Sequence, residues 1–221
     1  MCGISGTNNL SKLEVLYQYN LDRGSFASGL MCLYEGNNQQ VTKQQGVFNF
    51  DKMQISKDCD YYISHIQAPT SSNREFKYDL SHPFEALSWS VVHNGVITNW
   101  RELNAKYTPW NTNTVDTSVI TSLLQHFTEQ NEGFFYAPLI IRKVLELLEG
   151  TFALCIVDTD SNDVYISRQG SILHYNDKCD FSTVKGKDFE LVPEGQIMML
   201  RDFEGWEPIE EFKTKSPFLF V

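Results

Sequence analysis

The sequence is poor in the features that announce a cell compartment or a metal. Its amino terminus, MCGISGTNNL, has no basic residue followed by an apolar run, so no secretory leader is expected. No stretch approaches the ~18 consecutive apolar residues of a membrane span, and a cytoplasmic protein with no membrane partner is expected. The five cysteines, Cys2, Cys32, Cys59, Cys155 and Cys179, stand singly with no CxxC pair. That spacing argues against a disulfide framework and against a structural zinc site. The five histidines form no HExxH or other close ligand pattern, so no metal and no cofactor are expected. Positive charge is also scarce: 18 Lys and Arg face 28 Asp and Glu, a formal net charge of -10. A sequence-independent grip on nucleic acid or on an anionic membrane surface is excluded by that balance. Small-molecule chemistry is the class that remains.

At 221 residues and 42% hydrophobic, the chain can bury a proper core. It contains no repeat, low-complexity tract or Gly/Ser linker, so a single domain over 1–221 is expected. Strand-like runs rich in β-branched and aromatic residues occur at Tyr61 to Ile66, Leu87 to Val92, Thr151 to Asp158, Val164 to Ser167 and Gln196 to Leu200. Helical spacing follows Ser11, a candidate N-cap, through Leu13, Leu16, Tyr17 and Leu21. It returns after Asp116 in Val119, Ile120, Leu123, Leu124 and Phe127, and again from Leu139 to Leu148. Strands outnumber helices and the helices cluster, which predicts an α+β layered fold.

Three local features carry chemistry. Cys2 becomes the first residue if Met1 is removed, as is usual before a small residue. A thiol and a free α-amino group then share one residue, and an amine with a pKa of about 7.7 to 8.0 can take the thiol proton. The alternative is a small apolar residue in a buried first strand. In VVHNGVITNW, a strand-like run reaches Asn94-Gly95, where a sharp turn is expected. Such a turn would offer the Asn94 carboxamide and the Gly95 N–H to a developing oxyanion, or it could be a type I′ hairpin turn. Asp116, just ahead of a helix, could bind a substrate ammonium or act as an N-cap.

Taken in order, MCGISG, LDRGSFASGL, SHIQAPT, SHPF, VVHNGVITN, VDTSVI, LEGTFALCIVD, ISRQGSILHY and LVPEGQIMML span nearly the whole chain. Together they resemble the class II glutamine amidotransferase domain of the N-terminal nucleophile hydrolase superfamily. The resemblance implies a four-layer αββα sandwich and a glutamine amidohydrolase. Cys2 would be the nucleophile that forms a γ-glutamyl thioester, and its α-amine the base. Asn94 and Gly95 would form the oxyanion hole, with Asp116, Gln67 and His93 around the substrate and Arg23 in support. A solvated helix end is the other reading of Arg23.

The pattern is broken in three places. The family's arginine for the substrate carboxylate is replaced by Gln67, a loss of about 1.5 to 3 kcal/mol unless another cation substitutes, and Arg74 is the candidate. The family's acidic residue after the RG pair is Phe26. No synthase follows in this chain to consume the ammonia, so a separate ammonia-accepting synthetase subunit is expected as a partner alongside glutamine. Gln67 leaves a different amide or γ-glutamyl substrate open, and a non-catalytic partner-binding domain of the same fold is the remaining alternative.

Overall fold

A computed structural model describes residues 2–68, 75–131 and 136–214. In chain order the strands are β1 (Gly3–Thr7), β2 (Ala27–Tyr34), β3 (Asn38–Gln45), β4 (Tyr61–Gln67), β5 (Phe84–Ala86), β6 (Trp89–Ile97) and β7 (Gly150–Asp158). They continue as β8 (Asp163–Gln169), β9 (His174–Tyr175), β10 (Phe181–Ser182), β11 (Glu190–Leu191), β12 (Gln196–Arg201) and β13 (Gly205–Glu211). The helices are α1 (Leu10–Asn20), α2 (Trp100–Tyr107), α3 (Asp116–Gln130) and α4 (Ala137–Leu145).

Two antiparallel sheets form, ordered β11-β9-β10-β1-β4-β2-β3 and β13-β12-β8-β7-β6-β5. Three apolar clusters show how they stack. Ile4, Met31, Leu33, Tyr61 and Ile63 of the first sheet pack with Val92, Ala153, Cys155, Ile166 and Leu200 of the second, which is the core between sheets. On the outer face of the first sheet, Leu30, Cys32, Tyr62 and Ile66 meet Leu13 and Tyr17 of α1. On the outer face of the second, Trp89, Val91, Phe152 and Leu154 meet α3 and α4 through Ile120, Leu123, Leu124, Ile141 and Val144. The layers therefore run α, β, β, α, as the resemblance implied. Both sheets are covered on two faces, which explains why β2, ASGLMCLY, shows little alternation and escaped a sequence-based strand assignment.

Several element boundaries differ from expectation. Asn9, not Ser11, caps α1: its side chain accepts the Lys12 N–H at 3.0 Å, while its own N–H donates to Thr7 Oγ1. The expected strand from Leu87 starts at Trp89, because Leu87 takes a φ of 51° in the two-residue connection of a β5–β6 hairpin. The run from Leu139 to Leu148 is helical only to Leu145; Leu148 is fully buried in the turn that enters β7. No turn lies at Asn94-Gly95, since β6 pairs continuously with β7 from Trp89↔Asp158 to Ile97↔Gly150.

Candidate active site

β1 lies inside the first sheet, between β10 and β4, and carries Cys2 at its entrance. Alternation along the strand gives Cys2 the same side as Ile4, toward the second sheet. The strand is fixed from behind by a buried polar network. Asn20 donates to Leu16 O and Ser182 Oγ and accepts from Thr183 Oγ1, and Thr183 exchanges bonds with the Ile4 backbone. A Cβ at Gly3 would lie 2.8 Å from the Asn20 Cβ, so only glycine lets α1 sit this close.

Arg23 holds the same residue from the other direction, donating from Nε to the Cys2 carbonyl at 2.8 Å. The short helical turn Leu21–Arg23 ends at Gly24, which packs against the Gln67–Ala68 backbone; a Cβ there would lie 2.5 Å from the Ala68 nitrogen. Burial pushes the Cys2 thiol pKa up, opposed by a hydrogen bond from the Ala68 backbone, raised further by the Asp116 carboxylate and lowered by Arg23. Burial lowers the Arg23 pKa, with Cys2 opposing it. Cys2, Asp116 and Arg23 thus share one electrostatic environment although they come from three separate segments.

Across the sandwich, β6 supplies an open edge. Its partner β5 is short and pairs only from Trp89 to Val91. In an antiparallel strand the N–H and C=O of alternate residues point the same way, so His93, Gly95 and Ile97 direct theirs away from β7. The bonds agree: the Ile97 N–H donates to Asp116 Oδ2 at 2.9 Å, and the His93 carbonyl accepts from His65 Nε2 at 3.2 Å. The exposed Gly95 N–H lies between them, on an edge that no strand among the described residues covers. Asn94 shares its side with Val92, on the face turned to the first sheet and Cys2. Gly95 itself is forced by φ 155° and by the Thr151 carbonyl, 2.0 Å from where a Cβ would stand.

Asp116 opens α3. One carboxylate oxygen takes the Ile97 N–H and the other takes the Thr117 N–H at 2.9 Å, so the helix start is tied to the end of β6. The Thr117 hydroxyl, fully buried, lies 3.0 Å from His93 Nδ1 and 3.1 Å from His82 Nε2. His82 stacks on His65 with ring centroids 3.8 Å apart. Burial lowers the His65 pKa to about 3 and lowers that of His93, the latter opposed by Asp116 and the Thr151 backbone.

The fold has solved counterparts. The glutamine phosphoribosylpyrophosphate amidotransferase of B. subtilis matches 96% of this chain and 49% of its own, with a TM-score of 0.74 and 18% identity. In sequence, residues 81–174 match the glutamine amidotransferase domain family. Over that stretch the chain is similar to a glutamine amidotransferase domain, and its fold is shared with the B. subtilis amidotransferase. A glutamine–fructose-6-phosphate aminotransferase of Staphylococcus epidermidis is 25% identical over 220 residues, 96% of this chain and 35% of that protein. Its Staphylococcus aureus counterpart is 28% identical over 182 residues, 78% of this chain and 30% of that protein. The chain therefore spans about a third of these relatives and about half of the amidotransferase chain.

Cys2 lies within electrostatic reach of Arg23 and Asp116, and Asp116 is tied to β6, the strand that carries Asn94 and Gly95. Gln67 ends β4 opposite Ala27, is buried, and accepts the Phe26 N–H on its carbonyl at 3.0 Å. His93 lies on the other face of β6 from Asn94, turned toward α3. Arg74 lies outside the described residues. Sequence reasoning missed Asn20, Thr183, His65, His82 and Thr117. For the last three a signal exists, since SHIQ, SHPF, VVHNG and VDTS each place a His or Thr beside a singled-out position. Pairing them required the fold. Among the described residues no helix is long and apolar enough to cross a membrane.

Proposed function

We propose that the domain hydrolyses the side-chain amide of glutamine and that Cys2, exposed as the amino-terminal residue by removal of Met1, is its nucleophile. The supporting observation is that the Cys2 thiol lies within electrostatic reach of Asp116, whose carboxylate is bonded to the open edge of β6. Sγ attacks the amide carbon while the thiol proton passes to the α-amine. The resulting oxyanion is met by the Asn94 carboxamide and the Gly95 N–H, donors held by the β6–β7 pairing rather than by a turn. Collapse breaks the C–N bond, the proton leaves with ammonia, and water then splits the γ-glutamyl thioester to glutamate. Asp116 takes the substrate ammonium, and Arg23 holds the Cys2 carbonyl so that the thiol faces inward. The ammonia passes to an acceptor on a separate domain or subunit. The single domain of 1–221 is the unit that performs the hydrolysis.

Gln67 favours a second reading, in which the substrate is another amide or a γ-glutamyl compound lacking a free carboxylate at that point. Glutamate release from glutamine decides between them. Protein shown by mass spectrometry to lack Met1 should release glutamate, and Cys2→Ala should release none. Turnover of other amides with glutamine refused would establish the second reading, and turnover surviving in Cys2→Ala would remove Cys2 as nucleophile.

A further inference from the structure

Three buried imidazoles lie beside the site without a part in the chemistry above, and their contacts close into a ring. His93 is held at two points. Its carbonyl takes the His65 Nε2–H, and its Nδ1 faces the Thr117 hydroxyl; the other partner of that hydroxyl, His82, stacks on His65. The members come from β4, the segment before β5, β6 and α3, and all four residues are at most 4% exposed.

We infer that Thr117 is a positioning residue whose hydroxyl fixes the open edge of β6 and the Asp116 carboxylate in one mutual geometry. This rests on the proposed glutaminase reading for its catalytic consequence, though not for the contacts themselves.

The hydrogen-bond arithmetic singles out the hydroxyl. A carbonyl only accepts, so His65 carries its proton on Nε2. Thr117 has one proton and lies within reach of two ring nitrogens, so at least one ring donates to it. Thr117 belongs to both halves of the site. Its backbone N–H holds Asp116 Oδ1, and its side chain holds the ring of the residue preceding Asn94. Without the hydroxyl, two buried ring nitrogens lose their common partner, and His93 keeps its carbonyl bond to His65 while its ring loses the tie to α3; the β6–β7 pairing remains. Outer hydrogen-bond partners of metal-ligating histidines change affinity or activity by about 10- to 100-fold, and a loss of that order is expected for this hydroxyl.

The test compares Thr117→Val, which keeps the shape and removes the hydroxyl, with Thr117→Ser, which keeps the hydroxyl. Steady-state glutaminase kinetics should show kcat falling and KM rising in Thr117→Val, with kcat/KM down about 10- to 100-fold. Thr117→Ser should recover most of both. A purely structural role would lower the melting temperature of Thr117→Val and leave kcat and KM within about twofold of wild type, which would overturn the proposal. Imidazole ¹⁵N spectra separate this from failure of the glutaminase reading. If the wild-type protein does not turn over glutamine, displaced His82 Nε2 and His93 Nδ1 resonances in Thr117→Val, restored in Thr117→Ser, still support the hub. Unchanged resonances overturn it.

Discussion

Gly95 is where the backbone of this site is most constrained. Its φ of 155° and the Thr151 carbonyl 2.0 Å from a would-be Cβ leave no room for any side chain. Gly95→Ala is therefore expected to force β6 away from β7, with a loss of about 1–3 kcal/mol in chemical denaturation and a larger proportional loss of glutaminase activity. A fully stable, fully active Gly95→Ala would show that the strand geometry at this point is dispensable. Asn94 and Gly95 were singled out in the sequence at a sharp turn, and they lie instead within continuous strand pairing. Asn-Gly is a strong turn signal, and nothing in the local residues says that β7 will hold the pair in extended pairing. The open edge depends on where β5 stops, a property of the hairpin at Leu87 and not of the HNG segment. Asp116 was read as either cap or ligand; Val115 is the N-cap and Asp116 the first residue of α3, its carboxylate taking the Ile97 and Thr117 N–H groups and acting on the Cys2 thiol.

Among the elements, β7 carries an unusual carboxylate. Asp158 ends the strand opposite Trp89, and burial pushes its pKa up to about 6, opposed by the N–H of Asp160 at 3.0 Å. A raised carboxylate pKa means that the folded state prefers the proton. Its contribution to stability is present below the unfolded value of about 3.9 and is lost as pH rises through about 6. Asp158→Asn keeps an acceptor for the Asp160 N–H, so it should raise the melting temperature more at pH 7.5 than at pH 4.5. An equal or reversed difference would show that the carboxylate is ionised in the folded protein without penalty. Elements with clean periodicity, α3 and β7 above all, were legible because one face or both are apolar over a long run. β3 and β13 were not, since NQQVTKQQ and GWEPIEE lie at sheet edges and carry mostly polar residues. α1 was legible in its buried face and displaced at its start, because both Asn9 and Ser11 are good caps and only the position of β1 chooses between them.

At the scale of the whole molecule, acid stability reports on the layer between β6 and α3. His65, with a folded pKa of about 3, and His93, also lowered, stay neutral in the fold and take protons on unfolding. Their contribution is complete above the unfolded value of about 6.5 and is lost progressively as pH falls toward the folded value. Measured in the Asp158→Asn background, which removes the opposing carboxylate, unfolding free energy should decline as pH falls from 6.5 to 4.5. A flat profile would mean that these imidazoles are protonated in the fold. An α+β layered fold was legible in the pattern of elements, but the order of the four layers only through the joint order of the motifs, since no single strand or helix encodes which sheet it joins.

The shortness of β5 has one more consequence. A bare strand edge normally invites another chain to add itself in register, the route to edge-to-edge aggregation. Here the Asp116 carboxylate takes the Ile97 N–H and the His65 imidazole bonds the His93 carbonyl, so side chains stand on the edge on both sides of Gly95. An incoming strand would meet those two side chains before it could pair, so the exposed edge is blunted against strand addition.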